Sequence, residues 1–119
     1  WLLKFDDYDD RGRSQDYTKL EYLYMTMAKE VGIDVPDIEL LEQGDLTHYM
    51  IKRFDRMNGE RLHLHSLAGL THSNINIPGH YSYDNLLRVT RRLTGAQNQV
   101  EEMYKRMVFN IVARSQDDH

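Results

Sequence analysis

The chain has 119 residues, 40% of them apolar and 29% charged, with a formal charge of -4 at pH 7. That is one domain or less, with apolar content enough for a core, so a disordered chain is excluded. The acidic balance argues against direct nucleic-acid binding, which needs a basic face to neutralise phosphates, and the absence of Cys excludes disulfides and thiolate metal sites. Trp1-Leu2-Leu3-Lys4-Phe5 reads as a short buried strand, and so apolar a start suggests that the natural N-terminus lies upstream. Asp6 to Arg13 is a polar loop. Asp16 is a candidate N-cap for a helix reaching Val31, with Leu20, Leu23, Tyr24, Met27, Ala28 and Val31 on its apolar face and Gly32 as its stop.

Val35-Pro36 forces extended backbone. Ile38 to Glu42 and Thr47 to Phe54 read as a hairpin around Gln43-Gly44-Asp45-Leu46, followed by a turn at Arg56-Met57-Asn58-Gly59-Glu60. Ser66 can cap a short helix over Leu67 to Thr71, and residues 72–80 read as loop. Ser82 caps a helix that buries Leu86, Leu87, Thr90 and Leu93 and stops at Gly95. A last helix, from about Gln97 to Arg114, buries Val100, Met103, Tyr104, Met107, Val108, Ile111 and Val112. Phe109 and Ala113 widen its stripe, so its C-terminal end is expected to be covered on most sides. The clusters Arg88, Arg91, Arg92 and Lys105, Arg106 read as solvated helix faces. No apolar run approaches the ~20 residues of a membrane span and no signal peptide is visible, so a cytoplasmic location with no membrane contact is expected.

Strands followed by helices alone give an α+β chain: a small sheet-plus-helix lobe over residues 1–54, then an α-helical lobe over 55–119. The thin sheet and the broad last stripe predict exposed apolar surface, with self-association or poor solubility as the result. The chain ends on Gln116-Asp117-Asp118-His119 directly after a regular helix, a pattern expected of a catalytic loop cut short. Phosphoryl transfer of the kinase type needs a strand Lys on the phosphates, a helix Glu holding it, a backbone hinge, and a loop Asp at the acceptor hydroxyl. Lys4, Glu21, the run Lys52 to Asp55, and Asp117 occur in that order. Each also has a plainer reading: Lys4 as an edge-strand surface residue, Glu21 as a solvated helix residue, Asp117 and Asp118 as an acidic end.

Leu3-Lys4-Phe5, Leu20-Glu21-Tyr22, Ala28-Lys29-Glu30-Val31-Gly32-Ile33-Asp34-Val35-Pro36, Lys52-Arg53-Phe54-Asp55-Arg56 and Gln116-Asp117-Asp118-His119 resemble the HipA-like bacterial kinases over nearly the whole chain. The resemblance implies a partial protein-kinase-like fold and an ATP- and Mg2+-dependent serine/threonine protein kinase. It also implies the toxin role of a toxin–antitoxin pair, a HipB-like antitoxin as partner, and a protein substrate such as an aminoacyl-tRNA synthetase. By position, Lys4 would contact ATP phosphates. Backbone groups of Lys52 and Phe54 would take the adenine edge, Asp55 the ribose side, Asp117 the catalytic acid/base role, and His119 would support the loop.

The sequence departs from the family at Leu20, where Asn is usual, and at Ser115, where Asn is frequent. The loop Asn and later Asp that bind metal are expected beyond His119, and a phosphate-covering loop before Trp1. The fragment alone is therefore expected to be inactive. Two other readings are a non-catalytic protein-binding module, such as a pseudo-kinase or regulatory half, and a lipid kinase on the same scaffold.

Overall fold

Two strand-forming runs separated by a Gly-Asp pair dictate the centre of the first unit. In the computed structural model, β2 (Ile38–Gln43) and β3 (Leu46–Ile51) form an antiparallel hairpin, with Gly44 at φ 61 opening its turn. The structure describes residues 1–12, 14–74, 77 and 81–115, in two units, Trp1–Leu62 and His63–His119.

In the first unit β1 (Leu2–Lys4) pairs with the other side of β3, giving the order β1-β3-β2 and placing Lys4 and Leu40 opposite Tyr49. Lying at an edge, β1 is exposed along its length rather than buried as its sequence suggests. The buried strand is β3, where Thr47, His48 and Tyr49 are enclosed in succession. The Arg56-to-Glu60 turn is the tip of a small hairpin of β4 (Arg56–Met57) and β5 (Glu60–Arg61). Asn58 and Gly59 both adopt positive φ there, 52° and 83°, as the commonest two-residue hairpin turns require.

The helix α1 (Tyr17–Glu30) covers one face of this sheet, but not with the stripe that its apolar periodicity selects. Thr18 and Ala28 are buried and Tyr22 and Met25 half-buried, whereas Leu20, Leu23, Tyr24, Met27 and Val31 are exposed, Leu23 by 54%. Two contacts set this rotation. Thr18 Oγ1 donates to the Thr47 carbonyl at 2.5 Å, and the Tyr22 ring meets Tyr49 edge-on at 6.4 Å. The expected exposed apolar surface is therefore present, and much of it lies on α1. Asp16 occupies the N-cap position in the left-handed region and does not cap; its carboxylate accepts from Lys19 Nζ instead. At the other end Gly32 N–H bonds the Lys29 carbonyl and Ile33 N–H the Ala28 carbonyl, a Schellman closure that the positive φ of Gly32 permits.

In the second unit, Ser66 and Ser82 accept from the backbone N–H of Gly69 and Asn85, capping α2 (Leu67–Thr71) and α3 (Tyr83–Thr94) as expected. Gly95 ends α3 in the left-handed region, and α4 (Gln97–Val112) returns along it. Asn110 Nδ2 donates to the Tyr83 hydroxyl at 3.3 Å, tying the end of one helix to the start of the other. The seam between them is half-buried and includes Leu86, Leu87, Thr90, Val100, Met103 and Met107. Leu93, Tyr104, Val108, Ile111 and Val112 are exposed instead, so the end of α4 is not covered on most sides. A two-helix seam shields one stripe per helix, and side chains beyond that arc meet solvent. Among the described residues no helix is long and apolar enough to cross a membrane.

The rotation of α1 is testable by substitution. Leu23→Gln is expected to change the unfolding free energy by less than about 0.5 kcal/mol, whereas Ala28→Leu, forced against the sheet, should cost about 1–3 kcal/mol. Ala28 lies on the buried side in either rotation, so it is the urea midpoint of Leu23→Gln that distinguishes this rotation from the one that the apolar periodicity implies.

Candidate functional site

Antiparallel pairing alternates side chains across the sheet, so the register of β1 decides which face Lys4 joins. Opposite Tyr49, it stands on the face that α1 covers. The helix rotation that buries Thr18 also brings Glu21 to this face, and Lys4 Nζ donates to Glu21 Oε1 at 2.5 Å. The two residues meet as the sequence order suggests. Their side chains remain 55% and 38% exposed, and an exposed pair of this kind contributes only about 0.2–1 kcal/mol to stability. Its significance is geometric: an oriented ammonium group on a strand, open to solvent.

Beneath the pair, Tyr49 is fully enclosed, and among the described residues its hydroxyl has no hydrogen-bond partner. Burial first, and the Glu21 charge second, push its phenol up to about 12. On the opposite face, His48 Nδ1 accepts from the Asp6 backbone N–H at 3.0 Å and Nε2 donates to Gln43 Oε1 at 2.9 Å, with the Phe5 ring edge-on. Asp6 is itself buried. The Ser14 hydroxyl holds its carboxyl below the usual range, with backbone donors from Thr47 and Asp7 assisting against the cost of burial.

The strand exit carries the other candidates. Lys52 N–H donates to the Asp37 carbonyl at 2.8 Å, and its Nζ donates to Asp37 Oδ2, also at 2.8 Å. This bond holds the Asp37 carboxyl below its ordinary value. The backbone N–H of Lys52 is therefore taken, and the backbone group that Lys52 can still offer a ligand is its carbonyl. Among the described residues the backbone N–H and C=O of Phe54 have no partner, and its ring is exposed.

Asp55 is only 4% exposed, with both carboxylate oxygens engaged. Arg53 Nε and Nη2 donate to Oδ1 and Oδ2 at 2.8 and 2.5 Å, and Arg56 Nη1 donates to Oδ2 at 2.8 Å. The Arg53 hydrogen bond holds its carboxyl at about 2 against the opposing cost of burial, with the charges of Arg53 and Arg56 adding to the effect. The Asp55 carbonyl accepts from Leu62 N–H at 3.0 Å, closing the β4–β5 hairpin onto the strand exit.

Asp117 and His119 lie outside the described residues. The arginine clamp on Asp55, the Lys52–Asp37 pair and the enclosed Tyr49 are not singled out by the sequence reading. Arg53-x-Asp55-Arg56 carried a signal for the first, since residues two apart in extended chain share a side. No local pattern announces the other two.

A sheet covered on one face by a helix, with a Lys–Glu pair spanning the two, defines a mixed α+β protein carrying an anion-accessible cation. A family model described as HipA-like C-terminal domain matches residues 1–119, and the chain belongs to that family. No solved structure matches it.

The depressed pKa of Asp55 gives a pH dependence with a definite sign. Unfolded, this carboxyl takes up its proton near pH 4; folded, it stays ionised down to about 2. Its pairing therefore stabilises the fold fully above about pH 4 and is lost as pH falls from there towards 2. Denaturant midpoints measured across that window should fall with pH, and Asp55→Asn should show a lower midpoint at neutral pH and a shallower decline. An unchanged slope in Asp55→Asn would mean that the acid sensitivity comes from other carboxylates.

Proposed function

We propose that this chain forms the nucleotide-binding part of an ATP-dependent serine/threonine protein kinase of the HipA-like type, in a protein-kinase-like arrangement of lobes. The observation that carries the reading is the Lys4–Glu21 pair. A strand lysine and a glutamate of the next helix meet at 2.5 Å on an accessible surface, in a chain that belongs to the HipA-like C-terminal domain family.

The residues present fit a nucleotide. Lys4 presents a positive charge to phosphate oxygens, with Glu21 limiting its rotamers so that little ordering remains to be done on binding. The backbone of Phe54 and the Lys52 carbonyl offer a donor and acceptors for an adenine edge. Asp55 serves this segment through its arginines, which fix the direction in which the strand exit leaves the sheet; contact with a ribose would compete with them. Asp117 would accept the proton of the acceptor hydroxyl, and His119 would support its loop. Magnesium, when bound, supplies charge neutralisation at the phosphates. The described residues contain no group of three or more His, Asp or Glu able to hold a metal, and none is assigned to it.

The toxin role, a HipB-like antitoxin as partner, an aminoacyl-tRNA synthetase as acceptor and a cytoplasmic location follow from the family resemblance and belong to the same proposal. The exposed apolar stripe of α1 favours a second reading, in which the chain is a non-catalytic module that binds a protein partner.

A labelled-ATP transfer assay on the intact protein separates the two. Lys4→Met removes one preorganised donor and is expected to lower turnover by ~10²–10³, and Asp117→Asn by ~10²–10⁴. Full activity in either variant removes that residue from its role. An intact protein that binds a partner through α1 but transfers no phosphate would establish the binding module.

A further inference from the structure

A buried hydroxyl with no partner forfeits its hydrogen bond to water and gains nothing in return, so such groups are rare and point to an interaction not yet made. Among the described residues Tyr49 is the case: its ring is wholly enclosed and its hydroxyl oxygen is unpaired. Its position narrows the choice of acceptor. Tyr49 stands opposite Lys4 in the β1–β3 register, beneath α1, with Tyr22 edge-on against its ring. Glu21, adjacent to Tyr22 on that helix, has one carboxylate oxygen on Lys4 and, among the described residues, no partner for the other. Its charge is felt at the phenol, which it helps to push upward. Leaving a buried hydroxyl unpaired costs more than an exposed ion pair returns, so an orientation of the carboxylate that satisfies both donors is favoured over one that satisfies Lys4 alone.

We propose that Tyr49 is a positioning residue whose hydroxyl donates to the second oxygen of Glu21, fixing the carboxylate from below while Lys4 holds it from the side. A carboxylate anchored at both oxygens cannot swing away with the lysine. The ammonium group is then held over the sheet, ready for a phosphate, rather than trailing into solvent with its partner. Tyr49 touches no ligand and acts only through Glu21. The catalytic consequence rests on the proposed nucleotide site; the Tyr49–Glu21 contact does not.

The test is a double-mutant cycle in the intact protein, combining Tyr49→Phe with Glu21→Ala, read by urea unfolding and by calorimetric titration with a non-hydrolysable ATP analogue and magnesium. Tyr49→Phe is expected to lower the unfolding midpoint in the wild-type background and to leave it unchanged or raised when Glu21 is absent. It should also weaken analogue binding about fivefold, the equivalent of one net hydrogen bond, with no further loss beside Glu21→Ala. Glu21→Gln, which keeps an acceptor, should retain the cost of Tyr49→Phe and serves if Glu21→Ala does not fold. A midpoint that Tyr49→Phe leaves unchanged, or raises equally in every background, overturns the proposal. Coupling in the unfolding cycle with no analogue binding by the wild type would keep Tyr49 as the partner of Glu21 and would instead refute the nucleotide site.

Discussion

Everything in the first unit hangs on three consecutive enclosed residues of β3. A strand buried on both faces must satisfy polar groups in both directions, because nothing outside can solvate them. Thr47 offers its carbonyl to Thr18, and so fixes the rotation of α1. His48 faces the other way and ties down the chain leaving β1 through the Asp6 backbone N–H. Tyr49, back on the helix side, lies between Lys4 and Leu40 of the flanking strands. The helix, the edge strand and the loop after it are thus each referred to one strand, and the Lys4–Glu21 pair is the point at which two of those references meet.

The arginine clamp extends the same frame beyond the sheet. A carboxylate as enclosed as that of Asp55 needs opposite charges and full hydrogen bonding to be tolerated, and Arg53 and Arg56 supply both from adjacent sequence. Its carbonyl meanwhile receives Leu62 N–H at the far end of the small hairpin. The bidentate Arg53 fork restricts geometry more than a lysine would, and so fixes the angle at which the chain leaves β3. Among the described residues the neighbouring Phe54 backbone is left unpaired, between two anchored residues.

Much of this was legible in the residues, and the failures have physical causes. Caps were readable because Ser66, Ser82 and the glycines act through local backbone chemistry that needs no tertiary information. The hairpin at Gly44 was readable for the same reason, and Asn58-Gly59 announced a second one that the surrounding charged residues disguised as a plain turn. The face of α1 was misassigned because periodicity locates an apolar stripe but not the surface it meets. The sheet grips the helix through a threonine hydroxyl, a tyrosine edge and a small alanine, and the large apolar residues lie elsewhere. The strand order was only half visible: the lysine allowed an edge position for Leu2-Leu3-Lys4, while its apolar neighbours argued for a buried one. Of the candidate site, the Lys4–Glu21 pair follows from order along the chain. The engaged state of Asp55 and the stranded Tyr49 hydroxyl are products of packing.

The fastening of His48 to Asp6 has an effect at a distance from both. β1 offers only three residues to its partner strand, too few to define an alignment firmly by themselves. A slip of one residue along β3 would turn Lys4 to the side of the sheet away from α1 and bring a leucine to the carboxylate of Glu21. The imidazole prevents this by catching the main chain two residues after Lys4, with the Phe5 ring wedged against it. His48 therefore acts as a stop on a ratchet. It makes no contact with the lysine, yet it determines the parity on which the Lys4–Glu21 pairing depends, and a chain lengthened or shortened by one residue between Lys4 and Asp6 would lose that pairing without losing a single one of its participants.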